Sequence, residues 1–169
     1  GGTVKVDIKL SHEWNSCQIV NIPGSSVDEL EVEIDSYEPN AALLKLKEDA
    51  SSASEQVNIL YSNLLKSNCP VTNQPDWGTV IIAYKGKTID PAAFLKYIVS
   101  YRLHNGFHEL CVEEIYCDLL TQCGPEELFV MARYTRRGGL DINPWRASSE
   151  DIVEGIKDLV APFNRLARQ

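Results

Sequence analysis

The sequence lacks most of the features that would place it outside the ordinary globular class. No apolar run approaches the roughly 18 residues that a membrane-spanning helix needs. The start, Gly1-Gly2-Thr3, has no basic stretch followed by an apolar one, so no signal pattern is present, and the missing initiator Met reads as a cleaved tag or a fragment. There is no internal repeat, no low-complexity tract and no CxxC pair. Cysteine is present but unpaired in pattern: Cys17, Cys69, Cys111, Cys117 and Cys123 are odd in number and irregular in spacing. That argues against a secreted disulfide framework and for a reducing, cytoplasmic setting in which thiols stay free. Positive charge is also short, 16 Lys and Arg against 24 Asp and Glu. The net charge of −8 argues against a surface that binds nucleic acid or an acidic membrane.

What remains is a chain of 169 residues, 44% hydrophobic and 24% charged, enough for one domain with a real core. Residues 3–10 alternate Val4, Val6, Ile8 and Leu10 with polar residues, and 29–38 repeat the pattern with Leu30, Val32 and Ile34. Both predict half-buried strands. Residues 56–66 and the β-branched run from Trp77 to Tyr84 predict two more, separated by a polar loop at 67–76. Pro91 and the spacing of Phe94, Leu95, Ile98 and Tyr101 predict a helix over 91–103. A second helix is expected over 107–123, stopped by Gly124-Pro125. Strands follow at 126–135 and 139–145, joined at Arg136-Arg137-Gly138. A short amphipathic helix over 149–161 is capped by Ser149. The order predicts an α+β fold, an antiparallel sheet with two helices on one face.

Three clusters carry chemistry. Cys69 lies in the polar loop with Asp76 close behind. A nucleophilic thiol needs access and a lowered pKa or a nearby base, whereas an inert loop cysteine beside a turn-forming Asp needs neither. His108-Glu109 opens a helix: an ionised Glu there gains from the helix dipole and accepts two hydrogen bonds, which suits the N–H edge of a guanine-like ring. His108 is placed to shuttle a proton, or is simply solvated. Arg136-Arg137-Gly138-Gly139 reads as a glycine turn whose guanidiniums fork onto phosphate or face water. Arg133, Arg136, Arg137 and Arg146 fall within 14 residues, a local cationic patch suited to a small anionic ligand. His104, His108 and Cys111 have zinc-like spacing, but Asn105-Gly106 interrupts the helix they would share, and no metal site is expected.

Asn68-Cys69-Pro70-Val71-Thr72-Asn73-Gln74-Pro75-Asp76-Trp77-Gly78, then Tyr101 to Glu109, then Ala132 to Trp145 together resemble the NADPH-dependent 7-cyano-7-deazaguanine reductases of queuosine biosynthesis, nitrile reductases with the tunnelling fold (T-fold). The resemblance is close over 56–146 and looser elsewhere. It points to the C-terminal module of the long, two-module type: a junction at 1–55, a catalytic module at 56–146 and a helical tail at 147–169. It implies Cys69 as the nucleophile that forms a thioimide with the nitrile and Asp76 as acid/base. It also implies His108 in proton transfer, Glu109 on the deazaguanine edge, and Arg136, Arg137 and Gly138 at an NADPH phosphate. One stretch departs. The family's Glu-Ser-Lys-Ser-x-Lys cofactor signature is replaced by Ile89-Asp90-Pro91-Ala92-Ala93-Phe94-Leu95-Lys96-Tyr97, and in two-module members that signature sits in the other module. The residues leave two alternatives: a zinc-dependent T-fold hydrolase of a guanine nucleotide using Cys69, His108 and Cys111, or a non-catalytic purine-binding module. An oligomer, or an N-terminal module as partner, is expected because T-fold sheets have edges to cover.

Overall fold

The computed structural model describes residues 2–8, 10, 13, 21–49, 53–161, 164–166 and 169. Cys17, and parts of the first alternating stretch and of the closing one, lie outside them. The framework is one five-stranded sheet in sequential order: β1 (Ser25–Ser26), β2 (Ser54–Asn68), β3 (Pro75–Gly86), β4 (Glu127–Tyr134) and β5 (Trp145–Ala147). All pairings are antiparallel except the two-residue β1, which runs parallel to β2. Helices α1 (Pro91–Ser100) and α2 (His108–Cys123) lie between β3 and β4 in sequence. Asp90 caps α1, accepting from the N–H groups of Ala92 and Ala93, with Pro91 at the first position, where its missing N–H is no loss.

The central strand explains the layering. Along β3 the period of two sends Val80, Ile82 and Tyr84 into a core with Phe94, Ile98, Ile115 and Leu119 of α1 and α2. Ile81 and Ala83 point the other way, into a second core with Phe129, Met131, Ile152, Ile156 and Leu159. The expected pair of helices on one face is therefore present, and the tail covers the opposite face. It does so as two short pieces, α3 (Glu150–Gly155) and α4 (Lys157–Val160), broken at Ile156. Ser149 caps α3 by accepting from the Ile152 N–H.

Four expectations are corrected. Residues 3–10 form no strand among the described positions; Val4, Val6 and Ile8 are 83%, 74% and 89% exposed. Residues 29–38 are extended but unpaired, although Val32 and Ile34 do pack against the helix-side core. Alternation specifies an apolar face, not the neighbouring strand that a ladder also needs. The last strand is β5, at 145–147 rather than 139–145, because Arg137 to Leu140 close a separate small turn before the chain returns to β4. Gly138 and Gly139 take φ of 58° and 81° there, which favours residues without a Cβ. Finally, the four arginines do not form one patch. Arg133 is buried and donates to the backbone carbonyls of Leu159 and Asn164, fastening the tail. Arg146 lies over the ring of Tyr116. Among the described residues no helix is long and apolar enough to cross a membrane.

Because Ile152 anchors the second core, Ile152→Ala is expected to lower the unfolding free energy by about 2–4 kcal/mol. The exposed Glu154→Ala is expected to cost under about 0.5 kcal/mol. Urea unfolding monitored by circular dichroism checks both values.

Candidate active site

The site sits where three chain segments meet at the far end of the β2–β3 hairpin. The ladder closes at Asn68 and Pro75, so residues 69–74 form the turn. The Cys69 N–H donates to the Gln74 carbonyl at 2.9 Å and the Asn73 N–H to the Cys69 carbonyl at 2.8 Å. Asn73 adopts the left-handed conformation the turn requires (φ 54°), which Asn tolerates better than most residues. A strap from the second segment braces the start of the turn: the Asn68 N–H donates to the His104 carbonyl, and its amide side chain donates to the carbonyls of Arg102 and His104.

Asp76 follows the turn on β3. Its place in the period of two puts it on the helix-covered face with Gly78 and Val80, and it is only 4% exposed. A buried carboxylate needs polar or charged partners, and two groups meet it. His108 Nε2, at the first residue of α2, lies 3.2 Å from Asp76 Oδ2. Arg137 Nη1, from the 137–140 turn, lies 3.0 Å from Asp76 Oδ1. That second contact is an ion pair by distance without a directed hydrogen bond, so Arg137 contributes charge more than alignment. The other Arg137 nitrogen donates to Gln74 Oε1 at 2.7 Å and to Thr72 Oγ1 at 3.3 Å. Arg136 points elsewhere and forks onto Asp141.

Cys69 is half-buried, and its thiol is lowered from 9.0 to about 7. The hydroxyl of Thr72 contributes most, then the backbone groups of Thr72 and Val71; burial opposes them, and Arg137 adds a little. Cys111 and Cys123 are pushed the other way, to about 11, by burial. Cys69, Asp76, His108 and Arg137 line one cavity of about 250 Å3, with Phe107 and Ile142 as apolar walls and the exposed Glu109 at its lip. Such a volume, below the roughly 300–1,000 Å3 of drug-sized pockets, suits a single fused ring.

The sequence-derived candidates therefore converge, with one change of place. Arg137 faces this cavity, while Arg136 and Gly138 lie on the adjoining turn. His104 pairs with Glu114, His108 with Asp76, and Cys111 is fully buried and does not line the cavity. Among the described residues no group of three His, Cys, Asp or Glu is placed to hold a metal ion. Sequence reasoning missed Thr72, which acts on the thiol, and Tyr134, whose ring stacks on His108 with centroids 3.8 Å apart and planes at 9°. A Ser or Thr three residues after a loop cysteine is a usable turn signal. Nothing local marks Tyr134.

The chain is similar to several known proteins. The model of the family described as QueF-like protein matches residues 75–152. A protein of Bordetella avium (strain 197N) named NADPH-dependent 7-cyano-7-deazaguanine reductase is 51% identical over 149 residues, 88% of this chain and 53% of its own length. One of the same name from Paraburkholderia phytofirmans (strain DSM 17436 / LMG 22146 / PsJN) is 50% identical over 170 residues, 100% of this chain and 58% of its own. Among solved structures, the apo form of the archaeosine synthase QueF-Like superposes with a TM-score of 0.53 at 21% identity. It covers 56% of this chain and 95% of that one, and the likeness establishes the shared T-fold architecture alone. The chain spans just over half the length of the curated relatives it matches. The chain belongs to the family of the NADPH-dependent 7-cyano-7-deazaguanine reductases.

Proposed function

We propose that this chain is the catalytic module of a nitrile reductase that converts 7-cyano-7-deazaguanine to its 7-aminomethyl product in queuosine biosynthesis. The observation that carries this reading is a thiol lowered to about 7 in the same small cavity as a buried carboxylate that meets the Arg137 guanidinium on one oxygen and the His108 imidazole on the other. The thiolate of Cys69 attacks the nitrile carbon; an S–C bond forms and one π pair of the C≡N bond moves to nitrogen. That nitrogen takes the proton held between Asp76 and His108, leaving a neutral thioimide on Cys69. Glu109 accepts from the N–H edge of the ring, and Phe107 and Ile142 exclude water from its faces.

NADPH, when bound, would supply the two hydrides, one from each of two cofactor molecules, that the four-electron reduction of C≡N to CH2NH2 needs. Arg136 and Gly138 would hold its phosphate at the 136–139 turn, with Arg137 between that turn and the cavity; an added Cβ at Gly138 or Gly139 would meet nothing within 4 Å, so the turn has room for a ligand. The start of α1 adds nothing to such a site, because the Asp90 carboxylate already takes its free N–H groups. A reducing cytoplasm keeps Cys69 as a thiol. The sheet ends on two short strands, β1 and β5, at whose edges a neighbouring subunit or an N-terminal module would pair.

Incubation with 7-cyano-7-deazaguanine is expected to add the intact mass of the substrate to Cys69, and Cys69→Ala to abolish the addition. A wild-type chain without the adduct by mass spectrometry would sink the reading. The lowered thiol also sets a pH dependence: below about 7 the thiol is protonated and unreactive, above it the thiolate dominates. Iodoacetamide labelling of Cys69, followed by peptide mapping, should accordingly rise through pH about 7 and then level off, and a midpoint near 9 would contradict the hydrogen bonds to Thr72. Because α1 caps itself, the purified 169-residue chain is expected to form the adduct yet consume NADPH no faster than Cys69→Ala. Sustained turnover by the chain alone would refute that.

A further inference from the structure

We infer that Tyr134, seated on Gly78, is the positioning residue that sets the ring plane of His108 for proton transfer to a substrate in the cavity. The inference rests on the reductase reading for its chemistry. Its structural basis is separate.

His108 is the first residue of α2, and Phe107 before it provides no side-chain cap. The backbone thus places the Cα of His108 but leaves its ring to be fixed by contacts. Asp76 supplies one contact, at a single ring nitrogen. One edge contact leaves the imidazole free to turn about the N···O line, and proton transfer depends on the direction of the N–H. The Tyr134 ring, nearly parallel to the imidazole at 3.8 Å, removes that freedom.

Tyr134 can do so because it does not move itself. It is fully buried at the end of β4 and pairs in register with Gly78 on β3. Its ring covers the space a side chain at 78 would take: a Cβ there would stand 3.1 Å from Cδ1 and 3.4 Å from Cε1. Gly78 is thus the floor of a column that runs from the β3 backbone through Tyr134 to His108, and ends at Asp76, two residues earlier on the same face of β3. Burial raises the phenol well above its ordinary value, so the ring stays neutral beneath the imidazole.

The test measures the rate of adduct formation on Cys69 for Tyr134→Phe, Tyr134→Leu and Gly78→Ala, with and without His108→Ala. Tyr134→Leu keeps apolar bulk but no ring plane and is expected to slow the adduct by about tenfold to a hundredfold. Tyr134→Phe keeps the plane and should stay within about threefold, with Gly78→Ala, which displaces the ring by a few tenths of an ångström, in between. In the His108→Ala background the Leu substitution should add less than about threefold, since its effect passes through the missing ring. Substrate affinity, measured in Cys69→Ala versions, should change little. An equal slowing by Tyr134→Leu with and without His108 would overturn the inference, as would a Leu variant as fast as wild type. The imidazole NMR signals of His108 provide a readout independent of the chemistry. One sharp, ring-current-shifted set is expected in wild type and Tyr134→Phe, and shifted or broadened signals in Tyr134→Leu and, more weakly, in Gly78→Ala. Signals unchanged in the Leu variant would overturn the inference whether or not an adduct forms. An absent wild-type adduct would overturn only the reductase reading.

Discussion

A carboxylate taken out of water must be given counter-charge, and Asp76 imposes that requirement on the whole site. Its burial is expensive unless polar or charged partners reach it. The fold meets the cost from two directions: the His108 imidazole arrives on the N-terminus of α2, and the Arg137 guanidinium arrives on a glycine turn beyond β4. Neither element is near Asp76 in sequence. The carboxylate therefore acts as the point at which β3, α2 and the 137–140 turn are tied together, and the cavity is the space left among them.

The thiol is set by a more local device. The 69–74 turn folds its own Thr72 hydroxyl and backbone groups toward Cys69, so the thiol is lowered chiefly by its own loop. Arg137 then links the two halves, touching Asp76 on one side and Gln74 and Thr72 on the other. The Cys69 turn and the buried Asp76 carboxylate are thus bridged by one guanidinium without contact between their own side chains being required. The second apolar core keeps this arrangement stiff from behind, where Arg133 fastens the tail across the far face of β3 and β4.

Much of this was legible along the chain, and the failures share a cause. β2, β3, α1, α2 and β4 follow from apolar period and from stop signals such as Gly124-Pro125. Cys69, Asp76, His108 and Glu109 stood out as candidates because chemistry-bearing residues lay in polar loops or at a helix start, where packing does not explain them, and all four line one cavity. Residues 3–10 and 29–38 misled because alternation reports which side of a segment is apolar and says nothing of a partner strand. The arginine group misled for a related reason: Arg133 and Arg137 are four residues apart, yet the alternation of β4 sends Arg133 under the tail while the chain beyond β4 turns Arg137 into the cavity. Tyr134 was invisible because its role depends on standing opposite a glycine across a ladder and beneath a helix that begins 26 residues earlier.

By itself, the amino-acid order determined the kinds of element from 54 to 134, the turn chemistry and the set of reactive groups, since propensity, period and capping act over a few residues. Only the tertiary structure decided which of those groups meet. Burial of Asp76, the choice of Arg137 over Arg136 as its second partner, and the stacking of Tyr134 on His108 all depend on register between strands and on where a helix lands. Those are fixed by long-range packing and by the need to neutralise charge removed from water, quantities that no window along the sequence contains.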